Sequence, residues 1–217
     1  MLNFNLIAAI SENFGIGVKG ELPWRLRSEL KYFSSTTRRR LDQKKQNVVI
    51  MGRKTYFAIP EDKRPLSDRL NVVLSTTLKT TDLPENVLLY PNLETAMEHL
   101  EQSDLSQQIE TVWLIGGGGV YKEAIVSPRC NRIYLTKILR QFECDTFFPE
   151  IPADFQEVEL DQEIPMGIQE EGVPLCLFSV NGNIEFPVPV TKISASEHHL
   201  VVQSVCKWKF QQVLPKL

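Results

Sequence analysis

Short apolar runs recur along the first 140 positions, separated by stretches in which apolar side chains return every three or four residues. The runs NLIAAI, NVVIMG, RLNVVLS, VLLY, TVWLIGG and RIYLTKI predict strands, and the intervening periodicity predicts helices near 25–36, from about Arg53, near 92–102, and from about Gly119 to Val126. Such alternation predicts a mainly parallel sheet with helices on its faces. NVVI, NVVL and VWLI are apolar without a period of two, as strands covered on both sides should be. After Ile138 the pattern changes: CDTFFPEI leads to FQEVEL and PLCLFSVNG with no helical period between them, which predicts an antiparallel pair closing the sheet edge. FPVPVTKISASEHH has no period and reads as a linker, whereas LVVQSVCKWKFQQVL fits a short helix and an alternating strand equally well. No internal repeat is visible.

The segment GELPWRLRSELKYF poses a chemical question. As a helix entered through Pro23, it places Leu22, Leu26, Leu30 and Phe33 on one stripe, and Glu29 falls on that stripe too. An ionised carboxylate buried without a partner takes up a proton instead, so its pKa rises toward neutrality, where general acid catalysis is efficient. Two structural readings compete with that one: Glu29 pairs with Lys31 or Arg25, or the helix is rotated so that Glu29 lies at its margin.

Three predicted strands end in related chemistry. NVVIM runs into Gly52, Arg53, Lys54 and Thr55; NVVL into Ser75, Thr76 and Thr77; VWLI into Gly116, Gly117, Gly118 and Gly119. In a parallel sheet these C-terminal ends share one edge, where open α/β sheets bind ligands. Four glycines before a helix near Val120 would let free backbone N–H groups approach a phosphate, although a tight turn needs one or two of them. Arg53 and Lys54 oppose the dipole of the helix they begin unless an anion faces them. Gly15, Gly17 and Gly20 formally match GxGxxG, but Pro23 delays the helix and a basic stretch follows, so a loop closing over a site is the better reading. Arg38 to Arg40 with Lys44 and Lys45 lack interleaved aromatics and read as a solvated loop rather than an RNA surface.

Composition narrows the class. The 217 residues are 42% hydrophobic, enough for one large domain, and 24 basic against 27 acidic side chains imply no bulk attraction to nucleic acid or membrane. MLNFNLIAAI lacks a basic flank and a small-residue cleavage site and is too short to span a membrane, so it reads as a buried strand. Cys130, Cys144, Cys176 and Cys206 have no CxxC spacing, and His99, His198 and His199 are far from them in sequence; a reduced cytoplasmic chain without a metal site is expected.

LIAAISENFGIG, GELPWRLRSELKYF, NVVIMGRKTYFAIP, RPLSDRLNVVLS, VWLIGGGGVYKEAI and CDTFFPEI resemble, in order and in spacing, the animal-type, monofunctional dihydrofolate reductases. The resemblance covers residues 1 to about 184. It implies one α/β domain over 1–185 with a central, mixed but mainly parallel eight-stranded sheet, helices on both faces and an antiparallel C-terminal edge. It leaves 186–217 as a C-terminal extension of unknown structure, far too short for a fused thymidylate synthase. It implies reduction of 7,8-dihydrofolate by NADPH in a monomeric cytoplasmic enzyme open to antifolate inhibitors and needing no nucleic acid or membrane.

By that resemblance Glu29 grips the amidine-like edge of the pterin and helps deliver a proton to N5, through water held near Trp24. Ile7, Ala8 and Phe33 line the pterin slot, with Leu30 where animal enzymes usually have phenylalanine. Ile59 and Leu66 flank the benzoyl ring, and Arg69 holds the glutamate α-carboxylate through its guanidinium fork. Tyr121 and Thr136 are second-line contacts or simply core. Ala9, Ile16 and the glycine loop approach nicotinamide, and Lys54, Thr55 and Gly117 to Val120 cradle the diphosphate, with the Gly116–Gly117 bond cis. Thr76 and Pro91 stand where the family has arginines that hold the 2′-phosphate, so preference for NADPH over NADH rests on Arg53 and Ser75, and weaker discrimination is expected. A pterin- or pyrimidine-reducing relative would lack the set Trp24, Glu29, Phe33 and Arg69. A rival of another class is a catalytically weak folate or nucleotide binder that docks a protein or RNA through the basic loop or the tail.

Overall fold

The computed structural model describes residues 1–153, 155–158, 169–170 and 173–181. In chain order the elements are β1 (Phe4–Ser11), β2 (Gly15–Gly17), α1 (Arg27–Arg38), β3 (Gln46–Gly52), α2 (Arg53–Ala58), β4 (Arg69–Leu74), β5 (Val87–Tyr90), α3 (Leu93–Gln102), β6 (Ile109–Leu114), α4 (Gly118–Ala124), β7 (Cys130–Ile138), β8 (Thr146–Phe147), β9 (Gln156–Val158), β10 (Gln169–Glu170) and β11 (Val173–Asn181). The main sheet runs β10-β11-β7-β1-β6-β3-β4-β5, and β9 pairs alongside β11. From β7 to β5 every pairing is parallel; β11 is antiparallel to β7, with Leu177 opposite Thr136. The parallel body and the antiparallel edge match the sequence reading; the sheet has nine strands rather than eight, because β11 pairs with β9 as well as with β10 and β7.

The uninterrupted apolar strands serve two cores at once. Leu6, Ala8, Ile10, Val48, Ile50, Val72, Val112 and Leu114 face α3 and α4, which contribute Leu93, Met97, Leu100, Val120 and Ala124. Their neighbours in the chain, Ile7, Val49, Met51, Val73 and Trp113, face Tyr56 of α2 and Tyr32 and Phe33 of α1. Period-two geometry sends successive side chains to opposite faces, so a strand covered on both sides has no polar position to spare. Asn92 caps α3, accepting from the Thr95 N–H at 2.9 Å. The predicted linker and the undecided C-terminal stretch lie outside the described residues.

One sequence expectation needs correction. The stripe drawn through Leu22, Leu26, Leu30 and Phe33 is not the buried face of α1. Pro23 to Arg25 are not helical and α1 begins only at Arg27 with Leu26 as its N-cap, so Leu22 lies off the helix and is 51% exposed, while Leu30 is 46% exposed. The residues that α1 buries are Glu29, Thr36 and Thr37. The acid is therefore not at the margin of the helix: it belongs to the face turned toward the sheet.

Candidate active site

Glu29 occupies the first turn of α1 and is 7% exposed. Neither Lys31 nor Arg25 forms an ion pair with it among the described residues. Burial alone lifts its pKa from 4.5 to about 7, because removing a carboxylate from water penalises the charged form. Its charge is felt by Tyr121, whose phenol is pushed above the usual range first by burial and then by Glu29. The Tyr121 hydroxyl donates to the Ile7 carbonyl at 2.7 Å, so Glu29, Tyr121 and the backbone of β1 form one neighbourhood. Trp24, 8% exposed, packs edge-on against Phe142 at 5.3 Å, and its indole N–H has no hydrogen-bond partner among the described residues.

Ile7, Phe33, Ile59 and Leu66 share one apolar cluster, as expected of a slot for a flat heterocycle and its aryl extension. Ala8 faces the opposite core, so only its backbone can serve that cleft. Ala9 packs beside Trp24, Leu26 and Phe142, and its register partner on β7 is Thr136, a threonine 2% exposed. Leu30 stands open to solvent on the helix that carries Glu29.

Arg69, at the start of β4, lies with its guanidinium carbon 6.0 Å over the Phe33 ring. Its Nη1 donates to the Thr37 hydroxyl at 2.7 Å and its Nε to the Ser67 carbonyl at 2.9 Å. Burial, together with the nearby Arg38 cation, lowers its pKa to about 10, partly offset by Asp68; it remains charged at neutral pH. Arg38 is itself ion-paired with Asp68. Two buried asparagines brace this end of the cleft. Asn47 donates to the Thr37 and Arg39 carbonyls at 2.9 and 2.8 Å and accepts from the Thr111 N–H at 3.2 Å, tying the end of α1 to β3 and β6. Asn71 accepts from the Leu66 N–H at 2.9 Å and donates to the Leu66 and Arg69 carbonyls at 2.8 and 2.9 Å, which fixes the turn bearing Leu66 and Arg69.

At the C-terminal sheet edge the ends of β3 and β6 are laced by Gly52 N–H to Gly116 O at 2.8 Å. The Gly116–Gly117 peptide is cis, as the resemblance implies, and Gly116 has φ +126°, a conformation that favours glycine. Thr55 Oγ1 lies 3.1 Å from where a Cβ on Gly117 would sit, and Thr146 Cγ2 lies 3.0 Å from one on Gly118, with Ile16 beyond at 3.9 Å. A Cβ on Gly119 would meet nothing within 4 Å, whereas one on Gly52 would lie 3.4 Å from Val120 Cγ2. Neither α2 nor α4 has a side-chain N-cap, and Arg53 and Lys54 stand exposed on the first turn of α2. Unsatisfied N–H groups, bare glycine backbone and two cations that oppose a helix dipole suit an anionic diphosphate. Ile16 belongs to β2, which pairs with β8 and is latched where the Lys19 N–H donates to Asp145 Oδ2 at 2.6 Å. The glycine at 15 is required by close approach, since a Cβ there would overlap Cys144 Sγ.

A family model described as "Dihydrofolate reductase" matches residues 3–170. The chain belongs to the dihydrofolate reductase family. It is 63% identical over 171 residues to a dihydrofolate reductase of Drosophila melanogaster, an alignment that covers 79% of this chain and 92% of that one. It is 46% identical over 172 residues to that of Sus scrofa, covering 77% and 90%. The solved Schistosoma mansoni dihydrofolate reductase superposes with a TM-score of 0.75 at 34% identity, covering 84% of this chain and 99% of that one.

Ser75 and Thr76, which the sequence reading assigns to a 2′-phosphate, directly follow β4. Ser75 Oγ accepts from the Thr77 and Leu78 N–H groups at 3.1 and 3.2 Å and lies 3.2 Å from Thr77 Oγ1, so it closes a turn and can offer a phosphate only its proton. Thr76 is exposed beside it. Sequence reasoning also passed over Thr37, Asn47, Asn71 and Asp145. A signal existed for the asparagines: each opens or nearly opens an apolar strand, where asparagine is disfavoured. Thr37 carried none, because its role needs a residue 32 positions away. Among the described residues no helix is long and apolar enough to cross a membrane, and no group of His, Cys, Asp or Glu is placed to hold a metal ion.

Proposed function

We propose that this chain reduces 7,8-dihydrofolate to 5,6,7,8-tetrahydrofolate with NADPH. The observation that carries the reading is Glu29, a buried carboxyl on the sheet-facing side of α1 whose pKa burial raises to about 7. The net step adds one hydride at pterin C6 and one proton at N5. When bound, NADPH supplies the hydride. The chain supplies position and the proton. Glu29, half protonated near neutrality, accepts hydrogen bonds from the amidine-like edge of the pterin when ionised and holds the proton destined for N5 when neutral. Trp24 and the Ile7 carbonyl, held by Tyr121, shape the slot beside it, with Ala8, Leu30, Phe33 and Thr136 as further walls. Ile59 and Leu66 flank the aryl group, and Arg69 takes the glutamate carboxylate.

Ala9 and Ile16 would border the nicotinamide, Lys54, Thr55 and Gly116 to Val120 would hold the diphosphate, and Arg53, Ser75 and Thr76 would meet the 2′-phosphate. Around the buried Glu29 a low-dielectric cleft strengthens the polar contacts to the pterin. On this reading residues 1–185 form the reductase unit of a cytoplasmic monomer that antifolates would inhibit by entering the pterin slot. The test is to follow loss of NADPH absorbance with dihydrofolate present. Turnover supports the reading; tight binding of both ligands without turnover would instead favour a catalytically weak folate or nucleotide binder.

A further inference from the structure

Arg69 cannot orient itself. Its side chain is long, half-buried against Phe33, and free to rotate about four bonds, yet recognition of a carboxylate by a guanidinium demands a fixed plane. The two groups that hold that plane are the Ser67 carbonyl at Nε and the Thr37 hydroxyl at Nη1. Thr37 is 0% exposed, and its hydroxyl also donates to the Phe33 carbonyl one turn back at 2.8 Å. Its single proton is therefore committed to the helix, and a lone pair is turned toward Arg69. Asn47 holds the carbonyl of the same residue, so the hydroxyl is fixed with respect to the sheet as well. We infer that Thr37 is a positioning residue for substrate: by aiming the guanidinium of Arg69 it sets affinity for the carboxylate-bearing tail of the folate and leaves the pterin end untouched. Thr37 sits eight residues beyond Glu29 on α1, about 12 Å along the axis, so one rigid helix registers the acid at one end of the ligand and the anchor at the other.

The inference rests on the proposed function and is tested by two substrates on the full chain with NADPH: dihydrofolate, and 7,8-dihydrobiopterin, a dihydropterin without a carboxylate, read by its own turnover or as an inhibition constant. Thr37→Val keeps the shape and removes the acceptor. It should raise KM for dihydrofolate about tenfold, the usual scale for a hydrogen bond to a charged group, with kcat within about twofold and dihydrobiopterin unaffected. Thr37→Ser should restore KM to within about threefold, and in an Arg69→Ala background Thr37→Val should add nothing, as coupling of the pair requires. Thr37→Ala removes the same hydroxyl and serves if the valine variant does not fold. An equal loss on both substrates, a serine variant as poor as valine, or full additivity with Arg69→Ala would overturn the inference. Absence of any dihydrofolate turnover by the unaltered chain would overturn the function itself, a different outcome.

Discussion

The Tyr121 hydroxyl donates to the Ile7 carbonyl at 2.7 Å across the join between α4 and β1, and both groups are buried. Tyr121 also feels the charge of Glu29, and its strongly raised phenol pKa keeps the donor proton in place at any working pH. Tyr121→Phe removes this donor from the buried carbonyl. A loss of about 1–3 kcal/mol is expected, seen as a Tm lower by roughly 2–12 °C, together with a severalfold drop in kcat/KM for dihydrofolate. An unchanged melting curve would show that Ile7 O is satisfied without the phenol.

Glu29 makes two linked statements about pH. Its folded pKa, raised from 4.5 to about 7, means that the native chain binds the proton more tightly than the unfolded chain. The burial cost is absent below the unfolded value, grows as pH rises, and is complete above about 7, where it reaches about 3 kcal/mol. Glu29→Gln removes the titration. Its stability relative to the unaltered chain should therefore rise between pH 4 and pH 8, read by denaturant melts at each pH. Its turnover should fall at least a hundredfold at pH 7 and recover partly in acid, where N5 acquires its proton from solvent. A stability difference that is flat with pH would remove the buried-acid account, and an activity loss that is flat with pH would make Glu29 a binding group only.

Gly118 and Gly119 are adjacent in sequence and differ in what surrounds them. A Cβ on Gly118 would press on Thr146 Cγ2 at 3.0 Å, whereas one on Gly119 would meet nothing within 4 Å. Gly119→Ala should then leave Tm unchanged or slightly higher, alanine being the better helix former, yet raise the Kd for NADPH about tenfold by crowding the backbone N–H groups offered to the diphosphate. A thermal melt checks the first result and isothermal titration with NADPH the second. Normal NADPH affinity in this variant would exclude Gly119 from the phosphate cradle.

Discrimination between NADPH and NADH should be weak for this family. Thr76 brings no charge to the 2′-phosphate, and the Ser75 hydroxyl, which accepts from the Thr77 and Leu78 N–H groups, can offer it only a neutral donor. Arg53, exposed at the start of α2, is left as the principal cation. The ratio of kcat/KM values for the two cofactors should lie about tenfold below that of a mammalian relative and fall further in Arg53→Ala, since each charge-assisted bond is worth about tenfold. A ratio equal to the mammalian one would reject this.

The order of the longer strands and the helices, the two-sided core and the polar sheet edge were determined by the sequence alone, because burial on both faces abolishes the period of two in NVVI, NVVL and VWLI and leaves helical periodicity between them; the short strands β2, β8 and β10 carried no such pattern. Glu29 was legible for a similar reason: an acid among apolar neighbours is an energetic anomaly wherever it occurs. The phase of its helix was not. Leu22 and Leu30 fit a helical stripe on paper, but where α1 starts depends on how Pro23 and Trp24 leave the loop, and the sheet then chose Glu29, Thr36 and Thr37 as the buried face. Only the tertiary structure could decide the partners of Arg69, the commitment of Ser75 to its own turn, and the bracing by Asn47 and Asn71. A hydrogen bond depends on a few tenths of an ångström between groups that can be far apart in the chain, and periodicity carries no information about that distance.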